Sequence, residues 1–215
     1  MTPNQSIDPT VRPVTVRARI GARPAPALSA GYADRSTGES MTVQIAKQNI
    51  EWFINTVLLG DLKAMICNCS LHYLGFGTVA CGTEFLGACM DDKPFDQQGL
   101  SRQRFETAIT MLFDCRYHQY ASKGSEFDLY RHLRCGMAHI MRPQGKIAFT
   151  SHAESVLDKT QHLEVHTELG KLILISESFY FDFADACRKL KQDMSANRYS
   201  KKLTDEYLPI AQIEP

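Results

Sequence analysis

Residues 125–141 read SEFDLYRHLRCGMAHIM, and this stretch decides which fold the sequence predicts. Its apolar residues recur at helical spacing and predict one core-facing stripe: Leu129, Leu133, Met137 and Ile140. Ser125 with Asp128 three residues later resembles a capping box at the start of a helix. Pro143 disfavours helical backbone at the residue before it. The stretch therefore predicts one amphipathic helix that ends near residue 141.

Polar residues flank this stripe on both sides. His132, Cys135 and His139 share one flank, whereas Arg134 lies on the other. Gly136 falls on the stripe itself, where a glycine costs about 1 kcal/mol relative to alanine. We therefore expect another helix or backbone segment to approach closely at this glycine. His139 also falls in the last turn, where the helix dipole favours a protonated ring.

The chain before this helix is helical in its periodicity from Met41 onwards. Glycines at three positions predict a break or kink in the second helical stretch: Gly75, Gly77 and Gly82. The pair Gly60-Asp61 predicts an earlier interruption, and Ser101 is a candidate cap for the helix that contains Phe105. Several helices are therefore predicted before residue 125.

The period changes after residue 143. Alternation around Ile147 and Phe149 and around Leu163 and Val165, together with the apolar run 172–175, predicts two or three short strands. A last helix is predicted from Ser176 or Ser178, with these residues on its core face: Phe179, Phe183, Ala186, Leu190 and Met194. The sequence thus predicts a mainly α fold with a small two- or three-stranded β appendage before the last helix.

The two ends of the chain differ from its middle. Residues 1–40 contain five of the nine prolines and five arginines against three acidic residues, which predicts a disordered tail. Met41 follows this tail, so a misassigned start is one interpretation and a basic arm that contacts a partner is the other. We predict a helical domain over 41–197 and a basic C-terminal tail over 198–215.

The composition excludes some classes of function. The chain has 24 basic and 24 acidic residues, so its formal net charge is zero. This balance gives no broad electrostatic footprint for nucleic acid or for an anionic membrane, and it favours self-association. No apolar run is long enough for a membrane span, and arginines interrupt any apolar signal region. We therefore predict a cytoplasmic protein without a membrane partner, with its seven cysteines reduced.

Motifs for metals and cofactors are weak. His162 and His166 are four residues apart, which suits a helix, but the alternation around them predicts a strand. Cys67 and Cys69 lack the second cysteine pair of a zinc site. No glycine-rich loop follows a strand as nucleotide-binding folds require. The sequence predicts neither a metal nor a cofactor.

The segment Leu133–His139 resembles the Arg-x4–6-His signature of the HEPN superfamily of helical proteins. Its context is similar as well, over roughly residues 43–195. The shared features are an upstream helical segment with Glu84, a helix with Phe105, Tyr130 just before the motif, and a sheet followed by a helix that carries Phe179 and Asp182. The resemblance implies a HEPN-like helical bundle that forms homodimers.

Many HEPN relatives are metal-independent endoribonucleases, and others are inactive partners or scaffolds. The resemblance implies that His139 would transfer protons while Arg134 stabilises charge on the phosphorane. Active relatives usually carry a polar residue after the arginine, and this chain carries Cys135. Two functions are therefore predicted: RNA cleavage by Arg134 and His139, or a non-catalytic scaffold for dimerisation or partner binding.

Geometry limits how the motif can work. Residues five apart differ by about 140° around a straight helix, so Arg134 and His139 do not share one face. They can meet if the arginine wraps around, if the helix distorts near Gly136, or if a second protomer completes the site. The structural alternative pairs Arg134 with a carboxylate such as Glu84, while His132 is interpreted as a surface histidine and His139 as a helix cap.

Overall fold

The computed structural model describes residues 49–199. The predicted tail 1–40 lies outside these residues, as does the predicted C-terminal tail 198–215 apart from its first two residues. Most of the predicted domain 41–197 is therefore described. Within it the chain is mainly helical and carries one small three-stranded sheet, as the sequence predicts.

Six helices follow one another along the described chain. Helix α1 spans 49–68 and contains two π-helical segments, Ile54–Asp61 and Ala64–Asn68. The others are α2 (His72–Met90), α3 (Ser101–Leu112), α4 (a π turn Tyr130–Cys135 followed by an α turn Gly136–Ile140), α5 (His152–Asp158) and α6 (Ser176–Ser195). A 3-10 helix, Cys115–Tyr120, lies between α3 and α4. No described helix combines the length and the apolar character needed to cross a bilayer.

The sheet lies between α4 and α6. Strands β1 (Ile147–Thr150), β2 (Val165–His166) and β3 (Lys171–Ile175) are ordered β1-β3-β2. The central strand β3 pairs parallel with β1 and antiparallel with β2. Its apolar residues are buried, and α6 begins directly after it.

Helix α2 is continuous, so the predicted break at its glycines is wrong. A Cβ at Gly75 would lie 2.5 Å from Ile66 Cγ1, and one at Gly82 would lie 2.6 Å from Phe183 Cζ. The glycines are needed because α1 and α6 pack directly against the α2 backbone. The predicted interruption at residues 60–61 is also wrong, since α1 passes through them as a π-helical segment.

A buried hydrogen-bonded chain ties the 3-10 helix to β3 and α6. The Ile175 amide donates to His162 Nδ1 at 2.9 Å, and His162 Nε2 lies 2.7 Å from the Tyr117 hydroxyl. That hydroxyl donates to Asp182 at 2.6 Å, and Asp182 also accepts from Arg116. The acceptor role of Nδ1 leaves the ring proton on Nε2. Burial, and secondarily the charge of Arg116, lowers the pKa of His162 to about 3.

Candidate functional site

Arg134 is held in place from α2 and α3. Its Nε lies 2.5 Å from Glu84 Oε2, and both side chains are 19% exposed. The Ser101 hydroxyl donates to the same Glu84 oxygen at 2.7 Å, and Tyr130 donates to Ser101 at 3.0 Å. The ion pair with Glu84 is the one that the structural alternative predicts for Arg134. Ser101 does not cap α3 with its side chain, because its hydroxyl is used in this network.

The two Nη groups of the Arg134 guanidinium have different surroundings from its Nε. The short contact between Nε and Glu84 is an ion pair without hydrogen-bond geometry, and neither Nε nor the two Nη groups make a hydrogen bond to another described residue. The Arg134 side chain lines a cavity of about 220 Å³ between α2, α3 and α4, together with Cys81 and Phe95. Burial raises the pKa of the Cys81 thiol, and the charge of Arg134 opposes this shift. The cavity thus combines fixed cationic donors with a thiol that stays protonated.

His139 lies in the last turn of α4 and is exposed. Its side chain makes no hydrogen bond or ion pair with any other described residue, and it does not line the Arg134 cavity. At about 100° per residue, Cys135 and Ala138 lie between Arg134 and His139 around the helix. Both have short side chains, so no bulky group separates the two predicted catalytic residues on this surface. A single described chain nevertheless leaves Arg134 and His139 without direct contact.

Helix α4 distorts next to Gly136, where a distortion is one of the ways in which Arg134 and His139 could meet. The π turn Tyr130–Cys135 ends immediately before Gly136, and π turns occur often at functional sites. A Cβ at Gly136 would lie 2.5 Å from the Arg142 carbonyl oxygen. The predicted close approach at Gly136 is thus confirmed, and the approaching backbone is the returning chain after α4.

Two details of the predicted helix are wrong. Asp128 rather than Ser125 stabilises its start, because the Asp128 carboxylate accepts the Arg131 amide at 2.9 Å. Ile140 is 46% exposed rather than buried in the core stripe. The helix ends there because Met141 adopts the left-handed conformation at φ 54°, and none of the other elements within residues 49–199 buries Ile140.

His132 and Cys135, which the sequence places on the same flank of α4, have different surroundings. His132 is half-buried against Gly145, and burial lowers its pKa, so the ring is neutral at pH 7. Its backbone carbonyl accepts the Gln144 amide at 2.8 Å. These contacts favour a role in anchoring the chain that returns after α4. Cys135 is half-buried and lies between Arg134 and His139.

Exposed apolar side chains lie at the end of α4. Ile140 and Met141, which directly follow His139, are 46% and 58% exposed. Tyr73 donates its hydroxyl to the Met141 carbonyl at 2.5 Å, which joins the start of α2 to the end of α4. We call Ile140 and Met141 the α4-end patch.

A second cavity, of about 380 Å³, opens at the start of α2. Its wall includes His72, Tyr73, Phe149 and Glu154, none of which the sequence predicts as a site residue. These residues are far apart along the chain, and the packing of Phe149 against Tyr73 and Phe76 of α2 brings them together.

The described residues contain no group of three His, Cys, Asp or Glu side chains that could hold a metal ion. The seven cysteines are all described and none forms a disulfide. No protein-family model, curated protein or solved structure matches this chain.

Proposed function

We propose that this chain is a HEPN-like module that self-associates and cleaves RNA without a metal, using Arg134 and His139. The observation that carries the proposal is the state of Arg134. Its Nε forms an ion pair with Glu84 at 2.5 Å, while its Nη groups make no hydrogen bond to another described residue. A guanidinium fixed in this way is a preorganised pair of donors for a phosphate oxygen.

The proposed reaction needs only the groups of the RNA and of this chain. His139 takes the proton from the ribose 2′-hydroxyl, and the 2′ oxygen forms a bond to the adjacent phosphorus. The bond from phosphorus to the 5′ oxygen then breaks, and that oxygen takes a proton from water. Arg134 stabilises the extra negative charge on the phosphorane. The products are a 2′,3′-cyclic phosphate and a free 5′-hydroxyl.

Self-association is supported by the α4-end patch. The exposed His139 is followed directly by two apolar residues, Ile140 and Met141, that are 46% and 58% exposed. A second copy that covers this patch would exclude water from the histidine and could bring its own Arg134 and His139 close to the first pair. Such a two-fold arrangement would overcome the angular separation of the two residues on one helix.

The test of catalysis uses mixed-sequence RNA in the presence of a chelator. We expect the wild type to produce 2′,3′-cyclic phosphate ends and to leave DNA of the same sequence intact. His139→Ala should lower the rate about a hundredfold, as expected when a proton-transferring group is lost. His152→Ala, which removes another exposed histidine, should leave the rate unchanged. Equal cleavage by wild type and His139→Ala would refute the proposal and indicate a contaminating nuclease.

The role of Arg134 is tested with lysine rather than alanine. Alanine would leave Glu84 without its cationic partner. Arg134→Lys keeps a positive charge beside Glu84 but loses the planar fork of donors. We expect this variant to unfold at the same urea concentration as the wild type and to cleave RNA about a hundredfold more slowly. Cys135→Asn should preserve or raise the rate, since it restores the polar residue of active relatives. Full activity in Arg134→Lys would contradict the assigned role.

Self-association can be tested at the α4-end patch. Ile140→Glu places a charge on an exposed side chain of the patch, whereas Met111→Glu places one on α3, where the side chain is 53% exposed. We expect light scattering to give twice the chain mass for the wild type and Met111→Glu, and a monomer for Ile140→Glu. A wild-type monomer at micromolar concentration would contradict both the dimer and a composite site.

One observation favours the second candidate, a non-catalytic scaffold. The charge of Arg134 is already balanced by Glu84, and Cys135 replaces the polar residue of active relatives. The scaffold predicts the same dimer and the same sensitivity to Ile140→Glu, but no cleavage of any RNA by the wild type or by Cys135→Asn. The chelator assay therefore distinguishes the two functions.

A further inference from the structure

The 380 Å³ cavity at the start of α2 has an aromatic wall. Tyr73 is 44% exposed, and its ring meets Phe149 edge-on at a centroid distance of 5.8 Å. Phe149 in turn stacks on the buried Phe76 at 3.9 Å. The hydroxyl of Tyr73 donates to the Met141 carbonyl, which fixes the orientation of the ring. The cavity therefore offers a rigid aromatic surface that is open to solvent.

The polar edge of this cavity includes Glu154. Its Oε2 accepts the Ser151 amide at 3.0 Å and the Thr150 hydroxyl at 3.3 Å. Hydrogen bonds from Ser151 lower the pKa of Glu154, so the carboxylate is ionised at pH 7. Its Oε1 makes no hydrogen bond within the described residues. Glu154 thus has one oxygen committed to the start of α5 and one acceptor left for a ligand.

His72 lies on the same edge. Its Nδ1 is 2.8 Å from the Ser176 hydroxyl and 3.8 Å from Glu177 Oε1. The Ser176 hydroxyl donates to Glu177 Oε2 at 2.7 Å, so it cannot donate its single proton to His72 as well. His72 Nδ1 therefore carries a proton and donates it to the Ser176 oxygen. Glu154 Oε1 is thus the acceptor that this edge offers to a ligand.

The cavity also lies close to the proposed catalytic histidine. Tyr73 lines the cavity and binds the carbonyl of Met141, which is two residues after His139. A nucleotide whose base rests on Tyr73 would therefore have its sugar and phosphate near the end of α4. The negative charge of Glu154 disfavours a phosphate inside the cavity itself.

We infer that this cavity binds an RNA base that carries an exocyclic amine, next to the phosphate that is cut. The inference rests on the proposed function and names the base specificity of the same site. The base stacks on Tyr73, and its amine donates to Glu154 Oε1. Uracil has a carbonyl oxygen where cytosine has its amine, so its oxygen would face the Glu154 carboxylate. Glu154 is exposed to solvent, so this mismatch gives a moderate discrimination between the two bases.

The test compares cytosine with uracil, because these pyrimidines match in size and differ at this group. Fluorescein-labelled 2′-O-methyl oligocytidine and oligouridine cannot be cleaved by attack of a 2′-hydroxyl, and their binding is measured by anisotropy. We expect the wild type to prefer oligocytidine by about tenfold. Glu154→Gln should abolish this preference, because glutamine keeps an acceptor for the Ser151 amide but turns a donor towards the cytosine amine.

Two further variants separate recognition from general effects. Glu168→Gln removes the same charge at an exposed position elsewhere and should keep the preference, even if both oligonucleotides bind more tightly. Tyr73→Leu should weaken oligocytidine binding about tenfold through lost stacking. Equal binding of the two oligonucleotides by the wild type, or an unchanged ratio in Glu154→Gln, would overturn the inference.

Failure of this inference is distinguishable from failure of the proposed function. Cleavage of mixed-sequence RNA together with equal binding of the two oligonucleotides would leave the proposed reaction intact and overturn only the base site. A cytosine preference that Glu154→Gln abolishes, in a wild type that never cleaves RNA, would support the base site and overturn the catalytic proposal.

Discussion

Replacing Gly87 by alanine is expected to lower the free energy of unfolding by at least about 3 kcal/mol. A Cβ at this position in α2 would lie 1.8 Å from the Arg104 carbonyl oxygen of α3. Because that atom belongs to backbone, no side-chain rotation can make room, and α3 would have to move. Urea denaturation followed by far-ultraviolet circular dichroism measures the loss.

Movement of α3 would also break contacts that hold the loop after α2. The Arg104 side chain is buried and donates to Asp91 at 2.6 Å, to the Pro94 carbonyl at 2.6 Å and to the Phe95 carbonyl at 2.8 Å. These bonds depend on the position of the α3 backbone. Part of the destabilisation in Gly87→Ala should therefore come from this loop.

The matched control lies on the same helix. A Cβ at Gly77 would lie 3.4 Å from Met137 Cε, the far end of a flexible side chain. Gly77→Ala should therefore be neutral or stabilise the fold by up to about 1 kcal/mol, since alanine favours the helix. Equal stability of the two variants would show that α2 and α3 can separate at no cost, contrary to the packing described.

The sequence predicts much of the fold because the elements are set by local periodicity. The stripe Leu129, Leu133 and Met137 is buried, and the small sheet and the last helix lie where alternation and helical spacing indicate. The π-helical segments could not be predicted, since an apolar period of 3.6 residues carries no signal for a wider turn. Gly75 and Gly82 misled the prediction because glycine marks both helix ends and close helix packing.

The candidate site could be predicted only in part, for a related reason. Arg134 and His139 are close in the sequence, and Glu84 could be suggested as a charge partner because acids are few in its apolar segment. His72, Phe149 and Glu154 form their cavity through contacts between distant parts of the chain. No spacing rule relates residues that meet only after Phe149 of β1 has packed against α2.

Acid sensitivity is the second large effect that we expect, and it arises at His162. The folded protein keeps this ring neutral, with a pKa of about 3, whereas an unfolded chain binds the proton near pH 6.5. Stability from the neutral ring is therefore fully present above pH 6.5 and is lost progressively as the pH falls towards 3. At pH 4 the loss should be on the order of 3 kcal/mol.

The physical cause lies in the direction of the hydrogen bonds. Protonation would place a proton on His162 Nδ1, which already accepts the Ile175 amide, so two donors would face each other. The charged ring would also be buried close to Arg116, whose own charge is paired with Asp182. Both effects oppose protonation in the folded state, and neither exists once the chain unfolds.

The measurement compares the free energy of unfolding in urea at pH 7 and pH 4 for the wild type and His162→Gln. Glutamine can accept the Ile175 amide and donate to Tyr117, yet it does not titrate, so this variant should lose about 3 kcal/mol less than the wild type between the two pH values. His166→Gln, which alters a histidine outside the hydrogen-bonded chain, should follow the wild type. Carboxylates titrate alike in all three proteins and cancel in the comparison. Parallel pH dependence in the wild type and His162→Gln would mean that the neutral ring of His162 contributes nothing to acid stability, against its burial and its acceptor role.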